Sequence, residues 1–236
     1  MAADAIHLEN IRFSWHRQEP LVLDIADFRV AEGERVFLKG PSGSGKTTLL
    51  NLLGGITVPQ QGMVKVLETD LVALSGAKRD AYRADHIGFI FQMFNLVPYL
   101  SLVENVLLPC RFSARRRKNA GSSASQLEAE ACRFLDHMEL GGVQMARRAV
   151  ARLSVGQQQR VAVARALIGA PSLVIADEPT SALDADARGH FLDLLFRETQ
   201  GVGATLLFVS HDSSLESAFD RTVTLADINR ATARAA

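Results

Sequence analysis

The sequence predicts an α/β protein with a mixed sheet, an N-terminal antiparallel β subdomain and a helical insertion. Three observations lead to this fold class. Residues 6–39 alternate strand-like runs with turn signals. Short, nearly continuous apolar runs at 172–177 and 204–211 are typical of parallel strands that are covered on both faces. Residues 93–165 lack alternation and show helical spacing, so we expect a helical insertion there.

The bulk composition is typical of a folded domain in an aqueous compartment. The chain has 236 residues, 47% apolar and 22% charged, which is enough for one large domain with a sizeable core. Its formal net charge is zero, which argues against a nucleic-acid partner held by a strong basic field. Cys110 and Cys132 have no metal-ligand spacing, so a reducing cytosol is the simpler interpretation. We expect no signal peptide and no membrane crossing, because no apolar run reaches roughly 18 residues.

The first elements are strands. The runs "IHLENIRFSW", "LVLDIADFRV" and "ERVFLKG" are separated by turn signals, and Glu32–Gly33 is expected to form the tip of a hairpin between the second and third. The run "RVFLKG" then leads into "GSGKTTLLNLLGG", whose leucines suit a buried helix. Later, an amphipathic helix at 184–201, with Gly201 just past its end, separates two apolar strands. A strand, a helix and a strand at that spacing indicate a parallel sheet.

The insertion is expected to contain a loop and a capped helix. The segment "NAGSSAS" at 119–125 predicts a loop, and Ser125 with Glu128 matches a capping box. The basic run at 111–121 is open to two interpretations, contact with anionic lipid or a solvated helix end, and its lack of an apolar companion face favours the second. We therefore predict a single domain over 1–236, with an α/β core at 1–92 and 166–236 and a helical subdomain at 93–165.

The stretch "GPSGSGKTT" matches the phosphate-binding motif G-x-x-x-x-G-K-[ST] between a predicted strand and a predicted helix. Its glycines let backbone N–H groups approach phosphate oxygens, and the helix N-terminus adds partial positive charge. Lys46 can reach the β- and γ-phosphates, and the Thr47 hydroxyl can bind Mg²⁺. A glycine-rich turn that binds nothing is disfavoured by this flanking context. The predicted nucleotide-binding residues here are Gly40, Pro41, Ser42, Gly43, Ser44, Gly45, Lys46, Thr47 and Thr48.

Two carboxylates, Asp177 and Glu178, end the apolar strand "SLVIAD". Ligands of open α/β sheets bind at this end of the strands. Alone, such a pair is more often a solvated turn. Together with the phosphate loop it predicts a P-loop nucleoside triphosphatase, in which Asp177 holds Mg²⁺ and Glu178 orients or deprotonates the attacking water.

The stretch "RLSVGQQQRVAVARAL" predicts a helix opened by Ser154 and Gly156, with a polar N-terminus suited to an anion. It carries no acid, base or metal-ligand set. Gln92 and His211 also follow apolar runs, and each alone reads as an ordinary polar residue at a strand end.

In this order, "GPSGSGKTT", Gln92, "LSVGQ", "LVIADEP", "SALD" and His211 resemble the ATP-binding-cassette (ABC) family of nucleotide-binding subunits over essentially the whole chain. The resemblance implies ATP and Mg²⁺ as cofactors and a head-to-tail homodimer. Each ATP would then lie between the phosphate loop of one subunit and the signature helix of the other. The signature residues acting in trans are Ser154, Val155, Gly156 and Gln157; Val155 departs from the commonest pattern, which has glycine there.

Further roles follow from the resemblance. Trp15 would stack on adenine, a role favoured over the alternative of a strand residue half buried in the first sheet. Gln92 would contact the Mg²⁺ and water region, so that the expected metal set is Thr47, Gln92 and Asp177. His211 would contact the γ-phosphate, and Asp184 would communicate across the dimer.

The sequence of residues 91–109 and 154–167 is most similar to that of the bacterial branch of the family that serves macrolide efflux and lipoprotein release. The resemblance implies an ATPase at the cytoplasmic face of the inner membrane that drives separate permease subunits. Residues after Gln92 would form the docking surface, namely Phe94, Leu96, Val97, Pro98 and Tyr99, most of them filling the insertion's own core. An ATP-driven regulator of an envelope enzyme or sensor remains open. A soluble ABC ATPase of DNA or ribosomes is disfavoured by the single cassette and the absence of a heptad arm.

Overall fold

The computed structural model describes residues 3–231, apart from the side chains of Val143 and Ala185. The chain divides into two compact units: the described residues of Met1–Arg83 with Thr205–Ala236, and Ala84–Ala204. The chain divides after Arg83 and after Ala204, whereas the sequence predicted subdomain limits at 92/93 and 165/166. Those predicted limits stay a prediction. The predicted domain ends, 1 and 236, lie outside the described residues.

The first unit contains an antiparallel sheet of β1 (Asp4–Phe13), β2 (Leu23–Ala31), β4 (Gln61–Val66) and β5 (Thr69–Asp70), in the order β2-β1-β4-β5. Ile6 and Leu8 of β1 are fully buried at alternate positions, and Ile11 returns to the buried face after a register shift between Glu9 and Arg12 in the pairing with β4. The antiparallel β subdomain predicted from the sequence is confirmed.

A second set of strands in this unit is parallel. β3 (Arg35–Lys39) pairs with β8 (Thr205–Ser210) on one side and with β9 (Arg221–Thr224) on the other. The hairpin predicted between β2 and β3 is wrong, because the turn at Glu32–Gly33 takes the chain from the antiparallel sheet to this parallel one. The interior of β3 is buried without alternation, and such a strand is more stable between two parallel neighbours than at a solvated edge.

Helices complete this part of the chain. α1 (Lys46–Leu53) follows β3 as predicted, and Leu49, Leu52 and Leu53 are fully buried. α2 spans Gly76–His86, and α9 (Leu225–Ile228) follows β9. Within residues 3–231, no helix combines the length and the apolar character that a membrane crossing demands.

The second unit contains the parallel pair β6 (Ile87–Ile90) and β7 (Leu173–Asp177). The helix α8 (Ala185–Gly201) follows β7, and its apolar face at Phe191, Leu194 and Leu195 is buried. Gly201 is the last residue of α8, so the helix extends one residue further than predicted. The predicted parallel strands and the helix after β7 are confirmed.

The rest of this unit is helical, as the sequence predicted. It contains α3 (Leu102–Phe112), α4 (Ala114–Ala120), α5 (Ala124–His137), α6 (Val143–Ala146) and α7 (Val155–Leu167). Val161, Ala162 and Val163 of α7 are fully buried, so this helix is central to the packing of the unit.

The loop and cap predicted at 119–125 are partly wrong. α4 continues to Ala120, and the capping box of α5 is formed by Ser123 and Gln126 instead of Ser125 and Glu128. The Ser123 hydroxyl accepts from the Gln126 amide at 3.2 Å, and the Gln126 side chain accepts in return from the Ser123 amide. Glutamine fills this position as well as glutamate, so both registers were compatible with the sequence.

The prediction of a solvated helix end is correct for most of the basic run, since Arg111, Arg115, Arg117 and Lys118 are exposed, but it is wrong for Arg116, which is 2% exposed. Its guanidinium donates to the carbonyl oxygens of Ile168, at 2.8 Å, and of Ala166. These carbonyls lie at the C-terminal end of α7, where a helix leaves acceptors without intrahelical partners. Burial lowers the pKa of Arg116 to about 10, well above neutrality, so that the side chain stays cationic. Arg116 thus caps α7 from α4.

We expect Arg116→Ala to lower the free energy of unfolding by roughly 2 kcal/mol, because charged donors to buried carbonyls contribute about 1.5–3 kcal/mol. The exposed neighbour Arg117 is the matched control, and Arg117→Ala should change stability by no more than about 0.5 kcal/mol. Urea unfolding followed by circular dichroism measures both. Equal midpoints for the two variants would contradict the capping role.

Candidate functional site

The glycine-rich loop lies between β3 and α1 in the first unit. Gly45 is the N-cap of α1 with φ 101°, a conformation that a residue with a side chain rarely adopts. A Cβ placed on Gly45 would lie 3.1 Å from Leu23 Cδ2, so the loop passes close to the end of the antiparallel sheet. In the described structure no side chain caps α1, and the N–H groups of its first turn face the loop. The backbone geometry is that of an anion cradle.

The side chains of the loop also suit phosphate. The Lys46 ammonium donates to the carbonyl oxygens of Gly40, at 2.7 Å, and of Pro41, at 3.1 Å, which turns it back over the loop. The buried Ser44 hydroxyl oxygen has no hydrogen-bond partner among the described residues. A Cβ on Gly40 would lie 2.8 Å from that oxygen. The loop therefore offers a cation, an unpaired hydroxyl and backbone donors around a space that larger residues would fill.

His211 follows β8 at the same edge of the parallel strands. Because Lys39 pairs with Ser210 in the register of β3 and β8, the phosphate loop and His211 leave neighbouring strand ends. Trp15 lies beyond the end of β1, half exposed, with its ring edge-on to Phe13 at 5.1 Å between centroids. It is therefore a loop residue with free aromatic surface, rather than a residue within a strand.

In the second unit, Gln92 and the two carboxylates leave neighbouring strands. The register pairs Ile90 of β6 with Ala176 of β7, so that the chain reaches Gln92 and Asp177–Glu178 at one edge of this parallel pair. Asp177 is the last residue of β7, and Glu178 has φ 44°, in the left-handed region. Such a backbone conformation is costly for a residue other than glycine and is often found at functional sites.

The predicted helix start at Ser154 is confirmed, since Ser154 is the N-cap of α7. The Ser154 hydroxyl accepts from the Gln157 amide at 3.3 Å, and the Gln157 side chain accepts from the Ser154 amide at 3.0 Å. Val155 is 48% exposed, and Ser154 is exposed. Asp184 caps α8 in the same way, its carboxylate accepting from the Ala187 amide at 2.8 Å.

Three buried or half-buried polar side chains hold the loops of this unit, and none of them was predicted from the sequence. Asn105 donates to Val97 O at 3.0 Å and accepts from Val97 N at 2.8 Å. On α7, Gln159 donates to the carbonyl oxygen of Pro179 and Arg165 donates to that of Asn95. Their residue types are ordinary on a helix surface. The single signal in the sequence was their position on the apolar face of a helix, where a polar side chain needs a partner.

No group of three His, Cys, Asp or Glu side chains among residues 3–231 is arranged to hold a metal ion. A hydroxyl, an amide and a carboxylate (Thr47, Gln92 and Asp177) are oxygen donors of the kind that Mg²⁺ accepts when phosphate oxygens supply the remaining ligands. Each of these three side chains therefore has donor chemistry that is compatible with Mg²⁺.

A glycine-rich loop with its lysine, between a buried parallel strand and a helix, defines a P-loop nucleotide-binding protein. The family model described as ABC transporter matches residues 23–181. The chain belongs to the ABC transporter family. It is an ATPase cassette of that family, as the ordered motifs had indicated.

Relatives and solved structures agree with this membership. The chain is 39% identical over 206 residues to the lipoprotein-releasing system ATP-binding protein LolD of Syntrophotalea carbinolica, covering 87% of each chain. It is 39% identical over 227 residues to the macrolide export ATP-binding/permease protein MacB of Syntrophobacter fumaroxidans, covering 95% of this chain and 31% of that one. The ATP-binding cassette MJ0796, solved as a post-hydrolysis dimer with ADP and Pi, superposes with a TM-score of 0.81 at 34% identity over 93% of each chain.

Proposed function

We propose that this chain is the motor subunit of a transporter that exports or releases an envelope substrate through separate membrane subunits. The observation that carries the proposal is the likeness to LolD over 87% of both chains, because that relative is named as the ATP-binding protein of a lipoprotein-releasing system. The likeness to MacB, named as a macrolide export protein, supports the same class of task. Substrate choice would belong to the membrane subunits.

The phosphate loop would hold the triphosphate of ATP. Backbone donors at Gly43 and Gly45 and the Ser44 hydroxyl would bind phosphate oxygens, and Lys46 would exchange its carbonyl partners for the β- and γ-phosphates. Trp15 would cover the adenine. Thr47, Gln92 and Asp177 would hold Mg²⁺, which when bound neutralises the charge that develops on the phosphate oxygens.

Hydrolysis needs a positioned water and stabilisation of the transferred phosphoryl group. Glu178 would orient the water and accept its proton. His211 would donate to a γ-phosphate oxygen, and Gln92 would help to place the water. These roles fit the positions of the residues, since Glu178 and His211 directly follow a parallel strand of their own unit and Gln92 comes two residues after one.

The exposed start of α7 would act in a second copy's site. Ser154, Val155, Gly156 and Gln157 would contact the γ-phosphate of the ATP bound to the partner subunit, and Asp184 would lie at the same interface. The exposed Ser154 hydroxyl and the polar first turn support this role. Binding of ATP would then close a homodimer, and hydrolysis would reopen it.

The segment after Gln92 would dock against a membrane subunit. Met93 and Tyr99 are 80% and 81% exposed, whereas Phe94 is 8% exposed and packs inside its own unit. Of the five residues expected to form the docking surface, Phe94 is buried, Leu96 and Val97 are half-buried, and Pro98 and Tyr99 are exposed, so the expectation that most of them fill the core is wrong. Met93 and Tyr99 offer an apolar contact to a partner. The protein would therefore be peripheral, at the cytoplasmic face of the inner membrane.

We expect Glu178→Gln to bind ATP normally and to hydrolyse it at least about 100-fold more slowly, since a general base contributes on the order of 10²–10⁴ in rate. Because closure would precede hydrolysis, the variant should elute as a dimer with ATP in size-exclusion chromatography. A Glu178→Gln protein that turns over at the normal rate would remove Glu178 from this role. Asp193→Asn on α8 is a control carboxylate outside the site.

We expect Ser154→Ala to lower turnover by about 10-fold or more while the affinity of the monomer for ATP, measured by calorimetry, stays the same. A lost hydrogen bond to a charged group is worth about 1.5–3 kcal/mol. Ser123→Ala removes the equivalent cap from α5 and controls for the loss of helix stability. If monomer affinity collapsed in Ser154→Ala, the assignment of this residue to the partner's nucleotide would be wrong.

The transport role and the alternative, an ATP-driven regulator of an envelope enzyme or sensor, differ in the membrane partner. Purification of the chain from detergent-solubilised membranes of its native host, with Glu178→Gln to hold the closed state, should recover a permease with several spans. Recovery of a cell-wall enzyme or a sensor would favour the regulator. The double variant Met93→Ser with Tyr99→Ser is the control and should lose the partner without losing ATP binding.

A further inference from the structure

The helix α7 contacts two loops of its own chain in addition to presenting its N-terminus. Gln159, 1% exposed, lies on the second turn of α7 and donates from its amide nitrogen to the carbonyl oxygen of Pro179. That carbonyl belongs to the residue directly after Glu178. The side chain therefore fixes the backbone at the point where the direction of the Glu178 carboxylate is set.

Arg165 makes the second contact, two turns further along α7. Its guanidinium donates to the carbonyl oxygens of Asn95, at 2.6 Å, and of Phe94. Both carbonyls lie within three residues of Gln92. Burial lowers the pKa of Arg165 to about 10, so the side chain stays charged at neutral pH while it serves two neutral acceptors.

The two loops share an unfavourable backbone conformation. Phe94, Asn95 and Glu178 have φ of 58°, 49° and 44°, in the left-handed region. Phenylalanine and glutamate rarely keep this conformation without support from neighbouring groups, whereas asparagine tolerates it more readily. At both loops a side-chain donor from α7, the buried Gln159 or the half-buried Arg165, bonds to a carbonyl at or next to the strained residue, which is the kind of support that such a conformation requires.

We propose that Gln159 and Arg165 are positioning residues, through which the signature helix holds the Glu178 loop and the Gln92 loop of its own chain. The inference rests on the proposed roles of Glu178 and Gln92. The consequence is coupling between two nucleotide sites. The start of α7 would contact the nucleotide of the partner subunit, and the same helix would hold the two loops that act on the nucleotide of its own chain. A shift of α7 on closure would therefore move both loops together.

Gln159→Met keeps the length of the side chain and removes the donor. We expect kcat to fall on the order of 10- to 100-fold, since misplacement of a catalytic group by about 1 Å can cost 10²-fold. The KM for ATP should stay unchanged, and the ATP-bound dimer should accumulate as with Glu178→Gln. Gln158→Met is the matched control, because the Gln158 amide donates at 3.1 Å to Leu153 O beside its own helix start.

Double-variant kinetics separate positioning from a general loss of structure. If Gln159 acts through Glu178, Gln159→Met should cause no further loss in the Glu178→Gln background under single-turnover conditions. An equal loss in both backgrounds, or unchanged kcat in the single variant, would overturn the proposal. Normal turnover by Glu178→Gln alone would instead show that the proposed function is wrong. A Gln159→Met protein that does not fold would also count against it, because positioning predicts a folded, slow enzyme.

Hydrogen exchange tests the two contacts independently on the full chain. The Phe94 and Asn95 amides donate to the Phe91 and Met93 carbonyls at 2.9 and 2.6 Å, and should exchange faster in Arg165→Met. The Ser181 amide, which donates to Glu178 O at 3.3 Å, should exchange faster in Gln159→Met. Each variant should leave the other loop at the wild-type rate, and Arg165→Lys should restore part of the protection. Faster exchange of both loops in either variant would mean general loosening and would contradict the proposal.

Discussion

Backbone carbonyl groups that are removed from water must accept hydrogen bonds, and the structure depends on this constraint. The loops that follow parallel strands have no ladder or helix to satisfy their polar groups, and an unpaired buried carbonyl is costly. The chain meets this need with long polar side chains from neighbouring helices. Asn105, Gln159 and Arg165 serve the loops after β6 and β7, and Arg116 serves the C-terminal end of α7.

α7 differs from the other helices that provide these donors, because it is buried along most of its length beyond the first turn and is capped at both ends. Its apolar side chains fill the interior of the second unit, so the helix cannot move freely without disturbing close packing. Its N-terminus is capped by Ser154 and Gln157 and its C-terminal end by Arg116. The two ends of α7 are therefore held by hydrogen bonds, and its middle is held by apolar packing. A rigid element of this kind transmits a displacement, because packed elements shift as units between discrete arrangements.

The phosphate loop solves a different problem, since it must stay open around an anion. Lys46 bonds to two carbonyls of its own loop, and glycine at positions 40 and 45 keeps side chains out of the space they border. The cation and the N-terminus of α1 supply favourable potential before any ligand arrives. The charge of the chain as a whole sums to zero, so anion recognition is a local property of this loop.

Much of this followed from the sequence by itself. Apolar runs without alternation determined the parallel strands, and leucines at helical spacing determined α1, because burial on one or both faces has a period that can be read along the chain. The motif residues at 40–48, 154–157 and 177–178 were placed at their strand and helix ends for the same reason. Only the tertiary structure decided that β3 leaves the antiparallel sheet, that Arg116 is buried, and that Gln159 and Arg165 reach the loops beside Glu178 and Gln92. Those outcomes depend on distant partners: Gln159 and Pro179 are 20 residues apart, Arg165 and Asn95 are 70 apart, and Arg35 of β3 pairs with Leu206, 171 residues later. A polar side chain on a helix does not indicate, within its own segment, which distant carbonyl it will satisfy.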